Sequence, residues 1–140
     1  MAIEALIQKL KEAGCRDTPV RRTILNFLLQ KEGPSSAIEI QEALCGQGLS
    51  PNKSTIYRQL ETLVEKGIIE PITIEANIQH FELKQGHHHH FICTACKAVF
   101  DFIDSTLEKQ FKSLNTKLKN RGLKASHHEL NLYGLCKACS

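Results

Sequence analysis

This chain of 140 residues lacks any apolar run of the roughly 20 residues that a bilayer-spanning helix needs. It also lacks an export signal, because Met1 to Ala13 carries an amphipathic helical pattern instead of a continuous apolar stretch. Together these absences argue against a membrane protein and make a reducing cytoplasm the expected compartment. No internal repeat is present. Hydrophobic content of 41% and charged content of 24% fit a globular protein of one ordinary domain or two small ones. A positive excess is missing where it would be informative. The formal net charge is +3, yet residues 1–83 hold nine Lys/Arg against eleven Asp/Glu, while the rest hold nine against four. Overall charge therefore gives no argument for nucleic-acid binding, which must rest on local clusters and a motif.

What the chain does have is metal-ligand chemistry. Cys93-x-x-Cys96 and Cys136-x-x-Cys139 frame the C-terminal half. Two intervening residues let both sulfurs of a pair turn toward one ion, and two pairs complete a tetrahedron around Zn²⁺ with Zn–S near ~2.3 Å. The 39 residues between the pairs must then fold back, and metal binding becomes part of the folding free energy. A redox dithiol is the alternative. Cys15 and Cys45 have no partner pattern and read as buried structural cysteines. His127-x-Glu129 before the second pair superficially matches a zinc deaminase signature. The gap is too short, and Leu135 stands where that signature has proline.

His87 to His90 is an unbroken run of four imidazoles. On a strand, side chains alternate, so His87 and His89 serve one face and His88 and His90 the other. Each face needs further ligands. Glu70, Glu82 and Asp101 are candidates for one, Glu108 and His128 for the other. Mixed nitrogen and oxygen donors suit Zn²⁺, Fe²⁺, Mn²⁺ or Ni²⁺. A solvated polar loop is the bland alternative.

The first half reads as helices followed by a hairpin. Ile3, Leu6, Ile7 and Leu10 give Ala2 to Ala13 a helical period, ended by Gly14. Thr18-Pro19 starts a second helix to about Gln30, with Val20, Ile24, Phe27 and Leu28 inward. Ser36-x-x-Glu39 reads as a capping box for a third helix to about Cys45. Ser50-Pro51 signals a fourth, with Ile56, Leu60, Leu63 and Val64 inward and Gly67 at its end. Ile68 to Ile74 and Ile78 to Leu83 read as strands turning near Ala76-Asn77. That order is a winged helix-turn-helix over residues 1–83, with 84–86 as hinge and 87–140 as a second domain. In the latter, His87 to Cys93, Ala98 to Phe102 and His128 to Tyr133 read as strands. Asp104 to Arg121 reads as a helix with Leu107, Phe111, Leu114 and Leu118 inward. The fold class is α+β.

A helix-turn-helix presents the N-terminal residues of its second helix to base edges. Here those are Lys53, Ser54, Thr55, Tyr57 and Arg58. Lys53 and the hydroxyls suit phosphates, Arg58 a phosphate or a guanine edge, and the Tyr57 ring a thymine methyl. Arg16, Arg21 and Arg22 add a local basic cluster. Two other classes compete with this reading. One is a metalloenzyme with a His/Glu catalytic zinc site; the other is a zinc-stapled interaction module without DNA binding.

In ordered combination, several segments resemble the ferric uptake regulator (Fur) family of metal-dependent transcription factors. They are Thr18-Pro19-Val20-Arg21-Arg22-x-Ile24-Leu25, Ser36-Ala37-x-Glu39-Ile40, Ser54-Thr55-Ile56-Tyr57-Arg58-x-Leu60, Phe81-Glu82-Leu83, His87 to Cys96, and His128 to Cys139. The resemblance implies a winged-helix DNA-binding domain joined by a hinge to an α/β dimerisation domain. It implies a homodimer that represses from AT-rich palindromic operators on double-stranded DNA when loaded with metal. By position, Cys93, Cys96, Cys136 and Cys139 match structural zinc ligands. Glu82, His88, His90 and Asp101 match a regulatory site for Fe²⁺ or Zn²⁺ near the hinge, and Glu70 falls where some zinc sensors carry a ligand. His87, His89, Glu108 and His128 match an additional site. Tyr57 and Arg58 match DNA contacts, Arg21 a phosphate contact, and Arg16 a minor-groove residue. Regulatory metal joining ligands from both domains is expected to favour a closed dimer whose recognition helices match two half-sites. The chain departs from the pattern at Pro34, where many members carry a histidine. It also carries Glu82 in place of the aspartate of peroxide sensors, Leu83-Lys84 where zinc sensors often have cysteine, and Lys97 in place of glycine.

Overall fold

The computed structural model describes residues 3–31, 33–75 and 78–140. The chain divides into two compact units, one ending at Gly86 and the other running His87–Ser140. The first contains α1 (Ile3–Glu12), α2 (Pro19–Gln30), β1 (Ser35–Ser36), α3 (Ala37–Gly46), α4 (Lys53–Glu65), β2 (Ile69–Glu75) and β3 (Ile78–Leu83). Its sheet has the order β1-β3-β2, with antiparallel pairing throughout. The turn expected near Ala76-Asn77 and the helix start at Ala2 lie outside the described residues.

Helices α2, α3 and α4 start where a side-chain oxygen can accept an end N–H. Thr18 accepts from Arg21 at 3.2 Å, Ser36 from Glu39 at 3.2 Å, and Asn52 from Thr55 at 2.8 Å. Two expectations change here. The α4 cap is Asn52 rather than Ser50, which lies in the lead-in; the Asn carboxamide sits three residues before the free N–H. At α3 the capping box is half used, because the Glu39 carboxylate pairs with Lys31 instead of turning back. Gly67 closes α4 at φ +72°, a left-handed turn that costs glycine least.

The core of this unit joins all four helices to the sheet. Leu6, Ile7, Leu10, Ile24, Leu25, Leu28, Ile40, Leu44, Ile56, Leu60, Leu63, Ile68, Ile69 and Phe81 are buried in one cluster. Each such side chain contributes roughly 1.5–3 kcal/mol when fully withdrawn from water. Val20, Phe27 and Val64 pack on its margin. Cys15 also packs there, whereas Cys45 is exposed and does not fill the core role expected of it.

The second unit holds β4 (His89–Cys93), β5 (Val99–Phe102), α5 (Ser105–Asn120) and β6 (Asn131–Gly134). Its sheet order is β5-β4-β6, with β4 antiparallel to β5 and parallel to β6. The first and last strands are shorter than expected: His87 and His88 precede β4, and His128 precedes β6. Asp104 caps α5 through the Leu107 N–H at 2.9 Å. The apolar stripe of α5 does not reach a core. None of its residues is buried, and Leu114 is 48% exposed. Among the described residues, no helix is long and apolar enough to cross a membrane.

Candidate metal centres and nucleic-acid interface

The β4–β6 ladder sets Cys93 beside Gly134, just ahead of the second cysteine pair. One donor atom from each of Cys93, Cys96, Cys136 and Cys139 falls within 4.8 Å of the others. The Cys96 and Cys136 sulfurs are 3.8 Å apart. Backbone N–H groups of Cys96 and Cys136 point at the Cys93 sulfur, at 3.5 and 3.4 Å. These N–H groups lower the Cys93 thiol to about 6, favouring the thiolate that metal binding requires. Hydrogen bonds with its neighbours, Cys136 foremost, push the Cys139 thiol up to about 12. Four converging sulfurs, one already biased toward thiolate, form a donor set that fits tetrahedral Zn²⁺.

The histidine run sorts by parity. His87, His89, Glu108 and His128 offer donor atoms within 4.8 Å of one another. His89 is 1% exposed, and its Nε2 meets Glu108 Oε1 at 2.5 Å. His87 Nε2 lies 2.9 Å from His128 Nε2 and 3.2 Å from Glu108 Oε2. The His89 hydrogen bond, reinforced by the charges of the neighbouring imidazoles, holds the Glu108 carboxyl below the usual carboxylate range. On the other face, His90 Nε2 stands 3.4 Å from Asp101 Oδ1, and His88 Nε2 stands 3.8 Å from Asp101 Oδ2. Register explains this: His90 pairs with Asp101 across the β4–β5 ladder. Both groups combine imidazole with carboxylate, a donor set for a borderline divalent cation.

The two remaining acids of the expected sets belong to the first unit. Glu82 is on β3, 3% exposed, and Glu70 is its register partner on β2. Two imidazoles, His80 and His127, fall outside the sequence-derived sets. His80 lies two positions before Glu82, on the same face of β3. Strand alternation was the signal that could have found it.

Lys53, Ser54, Tyr57 and Arg58 are exposed on the first turns of α4, and Thr55 is half-buried. Lys53 Nζ sits 6.0 Å from the centre of the Tyr57 ring. Arg21 is also a brace. Its Nε donates to Gln59 Oε1 at 2.8 Å and its Nη1 to the Arg16 carbonyl at 3.1 Å, tying α2 to α4. Arg22 is engaged by Asp17 at 2.5 Å and Glu4 at 3.1 Å, so part of the basic cluster is internally compensated.

The Ferric uptake regulator family profile matches residues 12–133. The chain is 31% identical over 138 residues to the "Peroxide operon regulator" of Bacillus subtilis (strain 168), covering 99% of this chain and 93% of that protein. It is 33% identical over 134 residues to the "Ferric uptake regulation protein" of Legionella pneumophila, covering 94% and 96%. The crystal structure of the Vibrio cholerae ferric uptake regulator superposes with a TM-score of 0.76 at 32% identity, covering 93% of this chain and 98% of that one. The fold, the cysteine tetrad, the paired histidine sites and this full-length similarity place the chain in the ferric uptake regulator family of metal-responsive transcriptional regulators.

Proposed function

We propose that this protein is a homodimeric repressor whose grip on an AT-rich palindromic operator depends on an exchangeable divalent cation. One observation carries the reading: four consecutive histidines divide onto two faces, each already aimed at an acid. Such an arrangement separates reversible metal chemistry from the all-sulfur tetrad a few residues away. Cys93, Cys96, Cys136 and Cys139 hold structural Zn²⁺. His88, His90 and Asp101 form the regulatory site. His87, His89, Glu108 and His128 form an additional site. The bound cation supplies charge neutralisation among these acids, which favours the DNA-binding arrangement of the dimer. Fe²⁺ and Zn²⁺ are the leading effectors, and Mn²⁺ and Ni²⁺ suit the same donors. The relatives named for peroxide and for ferric uptake stand at nearly equal identity, so similarity does not rank the signals.

On DNA, Tyr57 and Arg58 reach base edges, while Lys53, Ser54, Thr55, Arg16 and Arg21 hold phosphates and the minor groove. The exposed apolar residues of α5 and β6, Leu114, Leu132 and Tyr133, supply a surface for a second copy. Operator titrations at buffered Fe²⁺, Mn²⁺, Zn²⁺ and Ni²⁺, starting from protein that keeps only its cysteine-bound ion, test the reading. Affinity should rise with one of these ions and fall steeply with salt. Equal operator binding by the apo and loaded forms would refute it. Tyr57→Ala with Arg58→Ala should abolish specific binding while the dimer stays intact.

A further inference from the structure

The apolar stripe of α5 meets imidazoles where it does not meet a core. Glu108 and Phe111 are three residues apart on this helix, so the carboxylate and the phenyl ring share a face. Glu108 turns to His89 and His87. Phe111, half-buried, lays its ring on His128, with centroids 4.1 Å and planes 35° apart. This close, tilted stack leaves His128 Nε2 facing His87 Nε2 at 2.9 Å. The same phenyl ring stands 6.0 Å from the His89 ring, and Phe102 of β5 stands 5.7 Å from it.

A histidine ligand is ordinarily fixed by an acceptor on its second ring nitrogen, which sets the tautomer and the ring plane. His89 is held otherwise. Its Nε2 faces Glu108, and among the described residues its buried Nδ1 has no hydrogen-bond partner. Two phenyl rings flank the imidazole instead. Ring orientation in this group therefore depends on aromatic packing. The packing is one-sided. The His89 side chain is fully covered and that of His128 is 30% exposed, while His87, at 42%, marks the open side.

We propose that Phe111 is a positioning residue for the additional cation site, holding the His128 ring in its ligating orientation and closing the α5 side to water. The proposal rests on the reading of His87, His89, Glu108 and His128 as that site. It gives a phenyl ring the part that a hydrogen-bond acceptor plays for other histidine ligands. A nitrogen-rich group covered on one side suits a four-coordinate ion such as Zn²⁺ better than one that keeps several waters, such as Mg²⁺.

Cobalt(II) is the probe. It is titrated into full-length protein that retains its cysteine-bound zinc, in an Asp101→Ala background that disables the other histidine group. Phe111→Ala should weaken Co²⁺ binding by about 10-fold and change the visible ligand-field bands as the His128 nitrogen loosens. Phe111→Leu, which keeps apolar bulk but not the flat face, should also weaken binding, with unchanged zinc content and circular dichroism. Phe111→Tyr, which keeps the ring, should restore affinity and bands. Because Phe111 acts through His128, adding Phe111→Ala to His128→Ala should cost less than about 2-fold more. Wild-type affinity in both the Ala and Leu variants overturns the proposal. So does an equal loss with His128 present or absent, because the ring would then support only the fold of the unit. Glu108→Ala separates the two readings. Wild-type affinity in that variant removes the additional site itself, and the Phe111 proposal with it. Loss there, with wild-type affinity in the Ala and Leu variants, removes the Phe111 proposal alone.

Discussion

The two units solve the problem of stability differently. The first buries fourteen apolar side chains in one cluster that touches all four of its helices. The second has a 16-residue helix with no buried residue, and its buried positions gather around β4: His89, Ile92, Cys93 and, across the ladder, Val99. Large apolar residues left exposed also concentrate there, including Phe100, Ile103, Leu123 and Leu135. A unit of this size with so small a core needs another source of stability, and metals or oligomerisation are the usual ones. The first unit is thus a domain that stands on its own apolar core. The second has a small core, a converging cysteine tetrad and an exposed apolar helix face, and on the proposed reading Zn²⁺ and a second copy complete it.

Removing the zinc should break that contrast most sharply. Structural zinc supplies roughly 10–16 kcal/mol in small zinc-stapled domains. Cys136→Ser, or a strong chelator acting on reduced protein, should unfold the second unit and dissociate the dimer. The first unit should keep its chemical shifts and resist proteolysis. Simultaneous loss of both units in the same experiment would show that the asymmetry is wrong.

Next in size are two leucine truncations. Leu60 is fully buried in the first unit, so Leu60→Ala should cost about 2–5 kcal/mol by urea denaturation. Leu114 is half-exposed, so Leu114→Ala should change the stability of dilute monomer by less than about 0.5 kcal/mol. It should still weaken the dimer, visible by analytical ultracentrifugation across a concentration series. If dimer affinity is untouched, α5 is not the surface that the second copy covers.

The same contrast governs how much could be read from the chain. Periodicity found the helices of the first unit because their inward positions, such as Ile24 and Leu60, do meet a core. It found the α5 stripe equally well, but Leu114 stays 48% exposed, because the second unit's small core does not extend to it. The parity of His87 to His90 was legible because strand alternation is nearly independent of context. Glu108 and Asp101 were legible as candidates for the two faces from the elements that carry them, and the geometry sets both acids beside the expected imidazoles. Three features were hidden for local reasons. Strand β1 has two residues, too few for any period. Asn52 competed with Ser50-Pro51, and both are good start signals. His80 carries no motif, and only its two-residue spacing from Glu82 along β3 marks it.

Smaller effects sharpen the contrast within each unit. Asn52→Ala removes the oxygen that accepts the Thr55 N–H, and should cost about 1 kcal/mol. Because this cap opens the recognition helix, operator affinity should fall along with the first unit's stability. The second unit's zinc content should not change.

Lys97→Gly should act in the opposite direction and on the other unit. Among the described residues, Lys97 is the one non-glycine residue with positive φ, at +65°. It closes the knuckle between the first cysteine pair and β5, and its N–H donates to the Cys93 carbonyl at 2.9 Å. A side chain in this left-handed region costs roughly 1–2 kcal/mol that glycine avoids. Glycine returns part of that gain through the greater freedom of its unfolded chain. The net expectation is a stabilisation of about 0.5–1 kcal/mol. It should appear as slower zinc release to a competing chelator, since the turn holds Cys93 and Cys96 in their shared orientation. The first unit's denaturation midpoint should stay fixed. A gain shared by both units would mean that the knuckle's strain is felt beyond the zinc site, and that the second unit is less separate than its small core implies.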